Sequence, residues 1–600
     1  MKAVNQNISN SPAKTTPMIS YQVAMSQPES HLYEVRLRVK DWQASVMDLK
    51  MPVWTPGSYL VREYAKNLQD FTVLDIEERS LPWSKKSKNH WQIDTTGITD
   101  ITVHYRIFAN ELSVRTNHLD QTHAYFNGAA TFLYVVGFET SPIQVTIIPP
   151  ESTWRISTAL PPLPEFRHTF IAADFDTLVD SPFEIGTHES HYFEVLGFPH
   201  ELAIWGKGNF QGRTAIADIE KIIKVEAELF GGLPYENYLF LLHLTSDGYG
   251  GLEHKNSCSL IYQRFGFRAK DKYNQFMQLL AHEFFHLWNV RRIRPQALEV
   301  FDYDQENYTS CLWFCEGTTS YYDVILPLRA GIYDAKTCLE TLSKDINRFL
   351  NTPGRLVQPL SESSWDAWIK LYRRDANSDN SQISYYLKGQ MVSLLLDLLI
   401  REQHNNLRSL DNVMQIMWQK FGIPEVGYTP EQLQNVIESV ANVNLEDFWQ
   451  ICLHSTEELP LNQYLKPFGL KIQANGNSEA IPFLGLTAKT EHGNTIVKFV
   501  ETGSPAQKAG IDPGDELLAI EGIRVNAEQL PERLKDYQPG DSISVSLFHQ
   551  DQLRTVSVIL GEPRPNSYKL VPVKSPTIQQ SNNFQGWLGV PLQTVFAVDS

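Results

Sequence analysis

Apolar and polar residues alternate with period two through much of the first 206 residues. The run at 31–39 does so cleanly, and shorter runs at 101–107, 131–138, 144–148 and 192–195 follow the same rule. Each predicts a strand with one face turned to a core. The stretch 54–58 (Trp-Thr-Pro-Gly-Ser) and the pair Pro149 and Pro150 read as turns. A sandwich-like β domain over 19–206 is the economical reading.

Near Ala215 the period changes to that of a helix. Residues 215–230 form an amphipathic pattern closed by Gly231 and Gly232. An apolar strand is predicted at 239–245, followed by a glycine-rich edge segment at 247–254 that ends in Glu253 and His254. Phe276, Met277, Leu279, Leu280, Phe284 and Leu287 then fall at helical spacing, with Asp271 as N-cap and Pro295 as terminator. From 336 to 459 the pattern is mostly helical, with segments at 389–401, 412–421 and 430–440. Thr429 caps the last of these, and Pro430 sits at its first position. After 461 short apolar strands return at 483–486, 495–500, 542–547 and 555–560, with Gly503, Gly510, Gly514 and Gly522 at turns. Residues 563–577 are proline-rich, and the apolar stretch 584–590 is expected to dock on the body.

The reading is a multidomain α+β protein. It has a leader at 1–18, a β domain at 19–206, a mixed domain with a helical lobe at 207–460, a β-rich module at 461–562, and a linker and docking tail at 563–600. Composition narrows the classes. A 42% apolar and 20% charged chain of 600 residues is globular. The net charge of −17 argues against a nucleic-acid partner or an anionic membrane surface. Five cysteines (Cys258, Cys311, Cys315, Cys338, Cys452) imply no disulfide framework, and Cys311 and Cys315 read as residues of a helix face. The first twenty residues are polar, no run of about 18 apolar residues occurs, and a cytoplasmic protein is the expectation. His118, His123, His168, His188 and His191 are scattered, and read as surface or core histidines.

The chemistry concentrates at 280–289, which contains His282-Glu283-Phe284-Phe285-His286. Side chains at i and i+4 of a helix share a face, so His282 and His286 can hold one metal ion. Glu283 stands beside them, as the general base for water activation. A third protein ligand is needed. Glu316, 30 residues beyond His286 and flanked by Trp313, Phe314, Tyr321 and Tyr322, is the best candidate, because a buried carboxylate wants a cation.

These segments resemble the glycyl aminopeptidase family, a PDZ-bearing branch of the thermolysin-like zinc peptidases. The resemblance runs from about residue 20 to the end. It is carried by 54–58, by Gly250-Gly251-Leu252-Glu253-His254, by 282–295, by 313–322, by Tyr386-x-Lys388-Gly389 and by 483–522. It implies a thermolysin-like catalytic domain, a C-terminal PDZ domain, and one zinc on His282, His286 and Glu316 with Glu283 as base. By the same match Glu253 would hold the substrate's α-amino group, on an edge segment that Gly250 and Gly251 open to a peptide. Here His254 stands where relatives carry Asn. Tyr386 would stabilise the oxyanion, with Tyr385 the alternative in register. Phe483, Leu484, Gly485 and Leu486 would form the carboxylate loop of the PDZ domain.

The leading expectation is therefore a zinc aminopeptidase acting on peptides with a free N-terminus, with small first residues suggested by the family name. A C-terminal peptide in the PDZ groove is a further expected partner. An endopeptidase with a structural Glu253, and a PDZ scaffold with an inert peptidase fold, are the alternatives.

Overall fold

The computed structural model describes residues 18–474 and 481–596. The expected leader lies outside them, except that Met18 already opens the strand Met18–Ala24. The chain divides into two compact units that interleave in sequence. One comprises the chain up to Gly212 with Pro234–Ala269 and Phe301–Glu306. The other comprises Arg213–Leu233, Lys270–Val300 and everything from Asn307 on.

The first unit is built on sheets. A six-stranded sheet carries Met18–Ala24, Leu32–Lys40 and Asp100–Phe108 side by side. Their alternating burial puts Tyr21, Val23, Val35, Leu37, Val103 and Tyr105 into one core. Residues 131–138 differ from expectation. Only Tyr134–Val135 is a strand, and residues 131–135 are all buried. The segment threads the core after the Asn127-capped turn Gly128–Ala130, so both of its faces meet protein and its pairing is short.

A second, five-stranded sheet in this unit has the order Glu189–Val195, Phe198–Trp205, Tyr238–Thr245, Ser257–Gln263, Tyr249–Glu253. The strands on either side of residue 206 thus share one sheet. Tyr238–Thr245 pairs in parallel with both neighbours and is buried almost throughout, as a strand covered on both faces should be. Tyr249–Glu253 is an edge strand, held antiparallel to Ser257–Gln263.

The second unit is mainly helical. Its metal-motif helix is Lys270–Phe285, which begins one residue before Asp271, so Asp271 lies in the first turn rather than at the cap. Tyr385–Gln403 is the central helix. It lies in a stretch with the length and apolarity of a membrane span, yet 89% of the most apolar window is buried inside the protein. Pro430–Ala441 carries the expected Thr429 cap, completed by Gln432. The PDZ fold follows, with its own core around Leu484, Val497, Ile520, Val545 and Val558. Its strand Leu486–Glu491 is a sheet edge. Asn380 ties this fold to the helices, donating to the Val500 carbonyl at 2.9 Å and accepting from Thr502 N–H at 2.9 Å. The tail helix Ile578–Leu588 buries Phe584, Trp587 and Leu588.

Candidate active site

Three side chains of the second unit converge. Nε2 of His286 is 3.1 Å and Nε2 of His282 is 3.5 Å from Oε2 of Glu316, and one ligand atom from each residue lies within 4.8 Å of the others. His286 and Glu316 are 1% exposed. Two imidazoles and a carboxylate are the donor set of a catalytic zinc site with a fourth position for water. The remaining ring nitrogens are also held. Nδ1 of His282 is 2.9 Å from Oδ2 of Asp323, and Nδ1 of His286 is 2.6 Å from the Asn289 carbonyl. Such partners fix tautomer and ring direction in metal sites. The residues fit the ion. Burial pushes the Glu316 carboxyl up, and the two imidazoles more than offset it, so the group is held below its ordinary range.

The placement follows from local structure. Glu316 lies in a π-helical turn, Trp313–Thr318, that runs into the α-helix Thr319–Arg329. Extra residues of this kind recur at functional sites, where they re-aim a side chain. The Asn289 amide donates to the carbonyls of Phe314 and Cys315 at 3.0 and 3.2 Å, stapling that turn to the end of the motif helix. Gly317 and Gly389 make a second close approach. A Cβ on Gly317 would stand 2.5 Å from the Gly389 Cα. Backbone-to-backbone packing there sets the start of the central helix, and so Tyr386, against Glu316.

The Tyr386 ring stacks toward His282, centroids 6.1 Å apart. Its hydroxyl is 3.0 Å from that of Tyr372, which is 3.3 Å from that of Tyr385. Burial raises the Tyr386 phenol well above its ordinary pKa, and Glu316 adds to this, so at neutral pH it is an O–H donor. Glu283 is buried and its charge acts on His282. Asp323, Asn289 and Tyr372 were not singled out in the sequence. Asp323 had a signal: it lies seven residues, about two turns, beyond Glu316. Glu226 had one too, as a carboxylate on the apolar face of Gly212–Phe230. It is fully buried, and neither of its oxygens has a hydrogen-bond partner among the described residues.

Glu253 lies in the first unit, at the end of the edge strand, 3% exposed and with Oε1 unpartnered among the described residues. The turn at 54–58 packs on it. Gly57, at φ +86°, has room for no Cβ, since one would stand 2.5 Å from Oε2 of Glu253. Arg115 donates to the Gly251 carbonyl at 3.2 Å, and Gly250 has φ +152°, which side-chain-bearing residues rarely adopt. His254 turns away, to Asp180 at 3.1 Å. In the PDZ fold, the carbonyls of Leu484 and Gly485 accept from Ala506 and Glu501 N–H, and Phe483 pairs with Gly561.

Known families match along the chain. Residues 20–187 match the Peptidase M61 N-terminal domain, 275–392 the M61 glycyl aminopeptidase, and 482–560 the PDZ domain. A crystal structure of an aminopeptidase N family protein from Idiomarina loihiensis is 31% identical, with a TM-score of 0.90, over 95% of this chain and 100% of that one. The chain belongs to the M61 glycyl aminopeptidase family. As a member it is a metalloaminopeptidase with a β domain ahead of the peptidase fold and a PDZ domain behind it. An M1 zinc metallopeptidase from Deinococcus radiodurans is similar at 12% identity and a TM-score of 0.48, over 74% of this chain and 95% of that one. No curated protein matches the M61 chain.

Proposed function

We propose that the protein is a zinc-dependent aminopeptidase that removes small N-terminal residues, glycine or alanine, from peptides. The observation that carries this is the convergence of His282, His286 and Glu316 with each imidazole's second nitrogen already held. These three residues would hold one zinc per chain. Bound there, zinc supplies Lewis acidity, polarising a carbonyl and lowering the pKa of water toward about 7. Glu283 accepts a proton from the attacking water and returns it to the leaving amine. The Tyr386 hydroxyl donates to the oxyanion of the tetrahedral intermediate. Glu253 pairs with the substrate's α-ammonium, and Gly250 and Gly251 leave the edge strand open to the peptide backbone. The small-residue preference rests on the family's name. The PDZ domain takes a peptide C-terminus by strand addition at Leu486–Glu491, with Phe483, Leu484, Gly485 and Leu486 as the carboxylate loop.

The test compares kcat/KM on Gly- and Ala-initiated peptides with free and acetylated amines, for wild type and Glu253→Ala. A charge-assisted hydrogen bond contributes about 1.5–3 kcal/mol, so wild type should prefer the free amine by roughly 10- to 150-fold. Glu253→Ala should lose most of that preference and leave acetylated substrates little changed. Equal rates on both substrates in wild type would sink the aminopeptidase reading in favour of an endopeptidase.

A further inference from the structure

Three of the five scattered histidines, His118, His123 and His188, meet a fourth, His243, around Glu184. His123, at the start of the strand His123–Phe126, places Nδ1 2.9 Å from Oε1 of Glu184. His243, on Tyr238–Thr245, places Nε2 2.9 Å from the other oxygen of the same carboxylate. One ligand atom from each of the three lies within 4.8 Å of the others. His188 Nδ1 is 4.0 Å from Glu184 Oε1 and has no hydrogen-bond partner among the described residues, while its Nε2 is held by Ser157 at 2.9 Å. All four side chains are buried, at 0 to 3% exposure.

The surroundings are built for these rings. The strand Phe183–Gly186 pairs with His123–Phe126 in a register that sets Gly186 opposite His123. A Cβ at Gly186 would stand 2.9 Å from the His123 Cβ. Trp205 stacks on the His123 imidazole at 3.7 Å and 13°. His123 Nε2 is 2.9 Å from His118 Nδ1, so the nitrogen turned away from Glu184 is held as well. Both oxygens of the buried Glu184 carboxylate are met by imidazoles, His123 at one and His243 at the other. A buried anion calls for a full positive charge nearby. A divalent ion among these donors provides that charge, and leaves each imidazole neutral, the form in which it binds metals.

We propose that His123, Glu184 and His243, closed by His188, form a second metal site, which takes a divalent transition cation of the zinc type. Imidazole and carboxylate donors suit such ions. A four-donor set with no open face is that of a structural site rather than a catalytic one. It would tie Phe183–Gly186 and His123–Phe126 to the central strand of the five-stranded sheet. His118 is a positioning residue for His123.

The experiment uses full-length protein in which the first site is disabled by His286→Ala. That variant is stripped with chelator and dialysed against zinc, and bound zinc and melting temperature are read. About one zinc per chain should be retained, with a rise in melting temperature. Adding His243→Gln should abolish both. Adding His118→Ala should weaken binding by about 10- to 100-fold, as loss of a ligand's hydrogen-bond partner does. Retention of no zinc by the His286→Ala protein, with no change in melting temperature, would overturn the proposal, whether or not the His243 variant folds. So would zinc retained undiminished in the His243→Gln protein, which would place the ion elsewhere. Neither outcome touches the aminopeptidase reading, which is judged on wild-type turnover.

Discussion

Asp323 holds His282 from the side away from Glu316: Oδ2 meets ring Nδ1 at 2.9 Å, while Nε2 of the same ring faces Glu316 at 3.5 Å. The carboxylate fixes which nitrogen is free for the metal and makes it more basic. Asp323→Ala should therefore weaken zinc binding by about 10- to 100-fold, with little change in the ratio of rates on free and acetylated peptides. Competition against a graded chelator measures this. Unaltered zinc affinity would reduce Asp323 to a packing residue.

Glu283→Gln separates base from ligand. The three metal donors remain, so the variant should keep its zinc and its fold while losing turnover. Metal analysis and kcat on a free-amine peptide, taken on the same preparation, decide it. Normal activity in this variant would refute the mechanism.

Tyr386→Phe should cost about 100- to 1000-fold in kcat, roughly 3–4 kcal/mol, as removal of one oxyanion donor does. Tyr385, fully buried and behind Tyr386 in a stacked pair at 4.8 Å, should tolerate Phe with a small loss. Tyr372→Phe removes the hydroxyl that meets Tyr386 at 3.0 Å and should give an intermediate loss. A full loss at Tyr385→Phe beside a near-normal Tyr386→Phe would reassign the donor.

These three tests divide between what the sequence makes legible and what it hides. His282 and His286 pair because helical periodicity puts i and i+4 on one face, and Glu316 stood out as a carboxylate among aromatics. The edge position of Tyr249–Glu253 follows from its glycines. Asp323 is hard to pick out because a polar residue on a helix looks solvent-facing until a second helix packs there, and Tyr372 because it lies in a turn that only the fold brings to Tyr386. The π-helical turn at Trp313–Thr318 was hidden because one extra residue leaves the apolar pattern helical. Residues 131–138 read as an alternating strand, yet 131–135 are all buried, and period two reports one buried face only. His123 and His188 read as scattered, and His243 as one residue of an apolar strand, because strand patterning assigns faces, whereas their meeting at Glu184 depends on which distant strands pair.

Lys388 is buried in the central helix, and among the described residues its ammonium reaches only the Ser455 carbonyl, at 3.5 Å. Burial lowers it from an ordinary 10.5 to about 8. Between those values the unfolded chain binds the proton and the folded one does not, so stability rises with pH across that window. Lys388→Met removes the cost of burying the charge. The gain should be on the order of 3 kcal/mol below the folded-state value, shrinking as pH rises toward the ordinary lysine range. Melting curves from neutral to alkaline pH check this, and a gain independent of pH would mean that the ammonium is better solvated than its burial implies.

The Trp587 indole N–H donates to the Tyr321 hydroxyl at 3.0 Å, and that hydroxyl donates to Asp397 at 2.6 Å. Asp397 also accepts from Arg401 at 2.8 Å, and Arg401 reaches back to the Gly586 carbonyl at 3.1 Å. Asp397, on the central helix, and Arg401 are 1% and 6% exposed, so the pair is stable only while its other bonds are made. Tyr321 shares the helix Thr319–Arg329 with Asp323, which couples the tail to the element that carries the partner of His282. Trp587→Ala removes a buried ring and the first hydrogen bond together, and should cost about 3–5 kcal/mol. Trp587→Phe keeps most of the packing and should cost about 1 kcal/mol. Deleting the chain from Ile578 should expose Phe468 and leave Arg401 without its tail acceptor, lowering the melting temperature of the helical unit at least as far as Trp587→Ala. Thermal unfolding and turnover of a short peptide by the three proteins give the answer. A deletion with unchanged melting temperature and unchanged turnover would show that the tail contributes nothing to the catalytic fold.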